Sequence, residues 1–121
     1  MTELNVAVVG IGFWGRNHVR VLSEIPEVTV PAVCDIVFER AKNVADRFGI
    51  KAYTDAGEML RKERNIDAVT LCVWSTKLAE EAARALMAGK HVFIEKPMAS
   101  SSEEARRIIK LAKEKDRIIQ V

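Results

Sequence analysis

The sequence is poor in the residues that mark specialised classes of protein. Among 121 residues there are two cysteines, three prolines and no excess of one charge, since 19 basic residues accompany 17 acidic ones. Cys34 and Cys72 belong to no C-x-x-C pair, so no metal site is indicated and we expect two reduced, buried thiols. The basic residues are interleaved with acidic ones, which gives no reason to expect a nucleic-acid partner.

Long apolar runs are also missing. No stretch approaches the roughly 20 residues of a membrane helix, and the N-terminal segment carries Glu3 where a secretory signal has basic residues. We therefore expect a cytoplasmic protein with no membrane partner. With 49% apolar residues and the length of one ordinary domain, the chain can bury a core of its own.

What the sequence does contain is a regular alternation of apolar runs and amphipathic stretches. The six predicted strands cover residues 4–9, 28–35, 51–53, 68–73, 91–94 and 117–121. Predicted helices cover residues 14–25, 37–48 and 77–88, and two more begin at the capping boxes Asp55-x-x-Glu58 and Ser101-x-x-Glu104. The pattern predicts an α/β fold with a doubly wound, mainly parallel six-stranded sheet and helices on both faces.

Two details refine this prediction. Pro31 has no N–H to donate, so we expect pairing on both sides of the second strand to begin at Ala32. The chain ends inside the apolar run IIQV, whereas domain boundaries usually fall in polar linkers, so we expect further residues beyond Val121 in the natural protein.

Residues 10–15 read GIGFWG, a G-x-G-x-x-G pattern between the first strand and the first helix. This is the context in which the pattern binds a dinucleotide, and it predicts a Rossmann type of fold. Gly10 permits a tight turn, Gly12 lets the backbone approach a pyrophosphate, and Gly15 lets the helix pack close to the strand. The helix N-terminus then offers free N–H groups to the phosphates.

An acidic residue completes the pattern, because Asp35 lies 20 residues after Gly15. A carboxylate there accepts hydrogen bonds from the adenosine ribose and repels a 2′-phosphate, so NAD is predicted over NADP. The alternative is a tight turn followed by an unrelated capping aspartate. The strand order typical of this fold, 3-2-1-4-5-6, would place Cys34 and Cys72 on either side of the first strand, about 10 Å apart and too far for a disulfide.

The segment Glu95-Lys96-Pro97 follows the strand at 91–94 directly, at the sheet edge where doubly wound folds bind ligands. The Lys96 ammonium is suited to stabilise negative charge that develops on a substrate oxygen during hydride transfer. From these residues alone, a charged surface loop is the alternative. His18 in the first helix and His91 at the start of a strand are predicted to be structural.

Taken together, the segments GIGFWGRNHVRVL, VCD and AGKHVFIEKP resemble the N-terminal domain of the glucose–fructose oxidoreductase / inositol dehydrogenase / MocA family over essentially the whole chain. The resemblance implies an NAD(P)-dependent oxidoreductase acting on sugars, sugar nucleotides or cyclitols. Residues 1–121 would be its dinucleotide-binding domain, and the family's C-terminal substrate domain, which holds the catalytic histidine and much of the oligomer interface, is absent. We therefore expect the isolated chain to bind NAD but to be inactive as an enzyme.

The resemblance also implies site residues. It places Gly10, Gly12, Phe13, Trp14 and Gly15 along the pyrophosphate, Asp35 at the adenosine ribose, Arg40 against the adenine, and Glu95 and catalytic Lys96 near the nicotinamide, with a cis bond before Pro97. The chain departs from the family pattern at Val73-Trp74, where Thr-Pro is usual, and at Leu78, where His is usual. These residues are predicted to border the nicotinamide and so to alter cofactor contacts.

Two other functions stay open at this point. The departures at Trp74 and Leu78 also fit a non-catalytic nucleotide-sensing or interaction module. The glycine turn alone fits another Rossmann protein, such as a methyltransferase, although the EKP segment argues against it.

Overall fold

The computed structural model describes residues 3–96 and 98–121. Its strands are β1 (Leu4–Val9), β2 (Val28–Thr29), β3 (Ala32–Cys34), β4 (Lys51–Tyr53), β5 (Ala68–Leu71), β6 (His91–Ile94) and β7 (Ile119–Gln120). Its helices are α1 (Phe13–Glu24), α2 (Phe38–Phe48), α3 (Ala56–Lys62), α4 (Ser75–Met87) and α5 (Ser102–Lys115). Strands and helices alternate along the chain as the sequence predicts.

The strands form a single parallel sheet in the order β4-β3-β1-β5-β6-β7, with β2 paired to β1 as well. The sheet is doubly wound, and its order is the predicted one once β2 and β3 are counted as a single strand. Among the described residues the sheet has seven strands rather than the six predicted, because the predicted strand 28–35 is interrupted. Pro31 lies in the gap and has no N–H to donate. Pairing of β3 with β4 begins at Ala32 and pairing of β3 with β1 begins at Val33, so pairing on both sides begins one residue later than the expected Ala32.

Helices cover both faces of the sheet, and each face has its own apolar core. On one face, α1 and α2 contribute Val19, Ala41, Val44 and Ala45, which pack against Val8 and Val33. On the other face, α3, α4 and α5 pack with the alternate strand residues; this larger cluster includes Met59, Leu78, Leu86, Ile108, Val69 and Ile94. Successive residues of β1 therefore belong to the two cores in turn, which explains why residues 7–9 are all apolar.

The helix boundaries follow local sequence signals. The Asp55 carboxylate accepts from the Glu58 N–H at 3.1 Å, and the Ser101 hydroxyl accepts from the Glu104 N–H at 3.1 Å, so both predicted capping boxes start a helix. Asp116 ends α5 in the left-handed region, with a φ of 55°. The last strand, β7, covers Ile119–Gln120 and is shorter than the predicted 117–121. None of the helices in the described part of the chain combines the length and the apolar character needed to span a membrane.

Parallel strands all point the same way, so their carboxyl ends meet at one edge of the sheet. Gly10 follows β1, Asp35 follows β3, Cys72 follows β5 and Glu95 follows β6. The residues that the sequence marks as functional are therefore brought to this edge by the topology alone.

Candidate functional site: a cleft at the carboxyl edge of the sheet

The glycine turn joins β1 to α1 and is fastened to the neighbouring strands. Gly10 has a φ of 94°, and its N–H donates to the Cys34 carbonyl at 2.8 Å. A Cβ on Gly10 would lie 2.6 Å from the Cys72 carbonyl group, and a Cβ on Gly15 would lie 1.7 Å from the Gly10 oxygen. Close backbone packing therefore accounts for both glycines.

Gly12 lies in different surroundings. It is the N-cap of α1, and a Cβ built there meets no atom of the described chain within 4 Å. The first turn of α1 contains no acidic residue, and no described side chain caps it. The N–H groups at this helix end thus carry partial positive charge with open space in front of them, an arrangement that suits a phosphate.

Asp35 is one of two buried polar residues in the described chain, with 7% of its surface exposed. One carboxylate oxygen accepts from the Ile11 N–H at 2.7 Å, and the other accepts from the Val37 N–H at 2.8 Å. The Asp35 N–H itself donates to the Tyr53 carbonyl at 3.0 Å. Its orientation is therefore fixed before any ligand binds, and each oxygen retains a lone pair for a further donor.

A cleft of about 390 Å³ opens between the glycine turn, the segments after β3, β4 and β5, and the start of α4. Six of the predicted cofactor residues line it: Gly10, Gly12, Asp35, Arg40, Val73 and Trp74. The cleft therefore joins the predicted pyrophosphate and ribose positions, although those two predictions came from separate sequence segments.

The other predicted residues lie elsewhere. Phe13 and Trp14 are 65% and 63% exposed, and their rings meet edge to face with centroids 5.1 Å apart. Gly15 lies beneath the turn. Leu78 is 1% exposed and belongs to the core between α4 and the sheet, so the structure does not bring it to the cleft. Glu95 and Lys96 lie beyond β6, outside the lining of this cleft.

Sequence reasoning did not identify the polar side chains of the cleft wall. Lys77, Glu81 and Arg84 line it from α4, and Asp55 lines it from the start of α3. Arg84 pairs with Asp55 at 3.2 Å. Burial raises the pKa of the Glu81 carboxyl, and the nearby Arg84 guanidinium partly offsets this shift. The spacing of these three α4 residues places them on one helix face, which is the signal that could have found them.

Glu95 is held at two points. Its N–H donates to the Leu71 carbonyl at 3.0 Å, and its side chain contacts the His18 Nε2 atom at 2.9 Å. The His18 ring also packs edge to face on Phe93, with centroids 5.7 Å apart. His18 thus connects α1 to the segment that carries Lys96. The sequence predicted a structural role for His18 but did not indicate this contact. Pro97, and with it the predicted cis bond, lies outside the described residues.

His91 has the structural role predicted for it, because its Nδ1 atom accepts from the Ile118 N–H at 2.9 Å and joins β6 to the start of β7. Cys34 and Cys72 are both free, as predicted, and both line the cleft. Cys34 is buried as expected, whereas Cys72, which was also expected to be buried, is only half-buried. Burial raises the pKa of each thiol to about 12. Both are therefore protonated at neutral pH and poor nucleophiles.

Comparisons with known proteins agree with this geometry. The model of the GFO_IDH_MocA family, described as an oxidoreductase family with an NAD-binding Rossmann fold, matches residues 4–121. An inositol 2-dehydrogenase of Salmonella typhimurium (strain LT2) is 35% identical over 98% of this chain, which spans 36% of that protein.

Two solved structures are similar in fold and sequence. GenD2 from gentamicin A biosynthesis, in complex with NAD, gives a TM-score of 0.95 at 31% identity over 99% of this chain and 34% of its own. A mutant of the 3-ketoreductase KijD10 from Actinomadura kijaniata, in complex with TDP-benzene and NADP, gives 0.91 at 27% identity, over 99% of this chain and 38% of its own.

The chain thus spans little more than a third of these proteins, and the matched third includes the glycine turn, Asp35 and the cleft between them. The match of the family model extends over nearly all 121 residues. The chain therefore belongs to the GFO_IDH_MocA oxidoreductase family and forms its NAD-binding Rossmann domain.

Proposed function

We propose that the chain binds NAD along the cleft and serves as the cofactor domain of a longer oxidoreductase. That enzyme would transfer a hydride between nicotinamide and an alcohol of a sugar, sugar nucleotide or cyclitol. The observation that carries the proposal is Asp35, a buried carboxylate fixed by two backbone N–H groups beside the open Gly12. An inositol 2-dehydrogenase and an NAD-bound structure among the similar proteins support it.

The residues of the cleft fit this cofactor. The uncapped end of α1 would hold the pyrophosphate, with Gly12 leaving space for it. Asp35 would accept hydrogen bonds from the two ribose hydroxyls, and its negative charge would repel a 2′-phosphate. Both oxygens are already oriented by the backbone, so little ordering is needed when the cofactor binds.

Nicotinamide, when bound, supplies the site that accepts or donates the hydride. Lys96 is exposed beyond β6, and its neighbour Glu95 is held by His18 and Leu71. We propose that the Lys96 ammonium stabilises negative charge on the substrate oxygen. The substrate pocket and a proton-transferring histidine would come from a C-terminal domain of the longer protein, which would also support a homo-oligomer. We propose the cytoplasm as the location, where the free thiols of Cys34 and Cys72 stay reduced.

Calorimetry with NAD and NADP tests the cofactor proposal. We expect measurable NAD binding and much weaker NADP binding. Asp35→Asn keeps one acceptor oxygen but loses the negative charge. NAD affinity is therefore expected to fall roughly tenfold, and the ratio of NAD affinity to NADP affinity is expected to decrease. The thermal unfolding midpoint of the variant shows whether weaker binding comes from the lost contact with NAD or from a loss of folded protein. Absence of binding to both cofactors, or a preference for NADP, would refute the proposal.

The catalytic proposal has its own measurement. The isolated chain is expected to produce no NADH from myo-inositol or other polyols, because the substrate pocket would be supplied by the C-terminal domain. In the longer enzyme, Lys96→Met is expected to lower kcat far more than it changes NAD affinity. Turnover by the isolated chain, or a Lys96→Met enzyme of normal kcat, would contradict the assignment.

A further inference from the structure

Trp74 is the most prominent unexplained side chain at the cleft. It is 82% exposed, more than either aromatic residue of the glycine turn. Within residues 3–96 and 98–121, the ring contacts are Phe13 with Trp14 and His18 with Phe93, so the indole has no stacking partner. An exposed indole offers a ligand a large apolar face together with a polar N–H group.

The backbone fixes the position of Trp74. It is the N-cap of α4, and its carbonyl accepts from the Lys77 N–H at 2.8 Å and from the Leu78 N–H at 3.1 Å. Leu78 is buried in the core, so this first turn is held against the sheet. The indole is therefore presented from a packed helix end rather than from a free loop.

Trp74 also lies on a particular side of the glycine turn. It lines the same cleft as Asp35, Ile36 and Arg40, whereas Glu95 and Lys96 do not contribute to that cleft. Resemblance alone would place this residue beside the nicotinamide. In the structure, Trp74 lines one cleft with the carboxylate proposed to hold the adenosine ribose.

We propose that Trp74 forms one wall of the adenine subsite and stacks on the base. The inference rests on the proposed NAD binding and assigns this residue to the adenine half of the cofactor. A base attached to a ribose held at Asp35 continues into the cleft lined by Trp74. Ile36, 87% exposed, and the Arg40 side chain are available to line the subsite from the segment after β3. Flat aromatic rings stack on any base without requiring a particular hydrogen-bond pattern.

The chain has two tryptophans, so fluorescence can separate them. In Trp14→Phe the emission reports on Trp74, and in Trp74→Phe it reports on Trp14. We expect ADP-ribose to quench the Trp74 emission and nicotinamide mononucleotide to leave it unchanged. Quenching by nicotinamide mononucleotide alone, or none by ADP-ribose, would overturn the assignment.

Affinity provides the second measurement. Trp74→Leu is expected to weaken ADP-ribose and NAD binding on the order of tenfold, whereas Trp74→Phe retains most of the affinity. Met87→Ala, at an exposed residue in the last turn of α4 outside the cleft lining, is the control and is expected to leave ADP-ribose binding unchanged. Because Trp74 is exposed, the unfolding midpoint of Trp74→Leu is expected to match that of the unmodified chain.

The outcomes distinguish the two proposals. If NAD binds the unmodified chain and Trp74→Leu binds ADP-ribose equally well, the adenine assignment is wrong and the proposed function stands. If calorimetry detects neither NAD nor ADP-ribose on the unmodified chain, the proposed function fails and the adenine assignment fails with it.

Discussion

Gly12 and Gly15 belong to one motif, yet the structure predicts opposite consequences for replacing them with alanine. A Cβ on Gly15 would lie 1.7 Å from the Gly10 oxygen and 2.8 Å from the Gly10 carbonyl carbon. Non-bonded heavy atoms are comfortable at about 3.5–4.0 Å, so α1 would have to move away from the turn by roughly 2 Å. Both clashing groups are backbone, and no rotamer change can relieve the contact.

The magnitude follows from this geometry. Overpacking a rigid site costs typically 1–3 kcal/mol, and a clash with backbone belongs at the upper end, about 3 kcal/mol. A chain of this size loses roughly 4 °C of midpoint per kcal/mol, so Gly15→Ala is expected to lower Tm by about 12 °C. A Cβ on Gly12 would meet no atom of the described residues within 4 Å, and the backbone φ of Gly12 is −90°. Gly12→Ala therefore introduces no clash. It exchanges one N-cap residue for a poorer one and is expected to lower Tm by only about 2 °C.

Thermal unfolding followed by circular dichroism, and then NAD calorimetry, measures both effects. Gly12→Ala is expected to fold normally but to bind NAD at least about tenfold more weakly, because its methyl group occupies the space in front of the helix end. A Gly15→Ala midpoint within about 3 °C of the unmodified chain would refute the packing argument. Native NAD affinity in Gly12→Ala would show that the open space is not the path of the phosphates.

Two further perturbations test the cleft wall and the segment that carries Lys96. Burial raises the pKa of the Glu81 carboxyl, so the folded chain binds this proton more tightly than the unfolded chain does. The stability that this protonation contributes is lost as pH rises through the raised pKa. In denaturant unfolding, Glu81→Gln is therefore expected to gain stability over the unmodified chain as pH rises above the ordinary glutamate pKa of about 4.3, with Glu114→Gln as the exposed control; a pH-independent difference would contradict this. His18→Leu removes the contact with Glu95 and is expected to speed amide exchange of the Glu95 N–H roughly fivefold, while His18→Gln restores protection. Equal exchange in all three proteins would mean that His18 does not position this segment.

The sheet and its order were predictable because the central strands are largely apolar and the crossovers between strands have helical periodicity. The interruption of the second predicted strand was anticipated only in part. Pro31 indicated about where pairing with strands on both sides would begin, but no sequence pattern indicated that Val28–Thr29 would pair separately with β1. Strand ends depend on which neighbours offer free N–H and C=O groups, and this is decided by the whole sheet.

For the site, residues fixed by backbone geometry were easier to predict than residues whose role depends on side-chain direction. The glycines and Asp35 follow from their spacing, because the turn and the end of β3 are built by the local chain. Leu78 and Trp74 are four residues apart, and counting positions cannot tell which of them faces the core and which the cleft. The contact of His18 with Glu95 joins residues 77 positions apart, so no local sequence pattern predicts it.

The hydrogen bond from the Ile11 N–H to Asp35 has a consequence for redesign. It ties the turn to the carboxylate proposed to bind the ribose, so a substitution of Asp35 also affects the turn. Exchanging Asp35 for a residue without an acceptor, in order to admit a 2′-phosphate, would leave a buried N–H unsatisfied at a cost of about 1–3 kcal/mol. A serine or asparagine could keep an acceptor within reach of Ile11. A substitution of Asp35 that changes the cofactor preference from NAD to NADP would therefore also have to supply a hydrogen-bond acceptor for the Ile11 N–H.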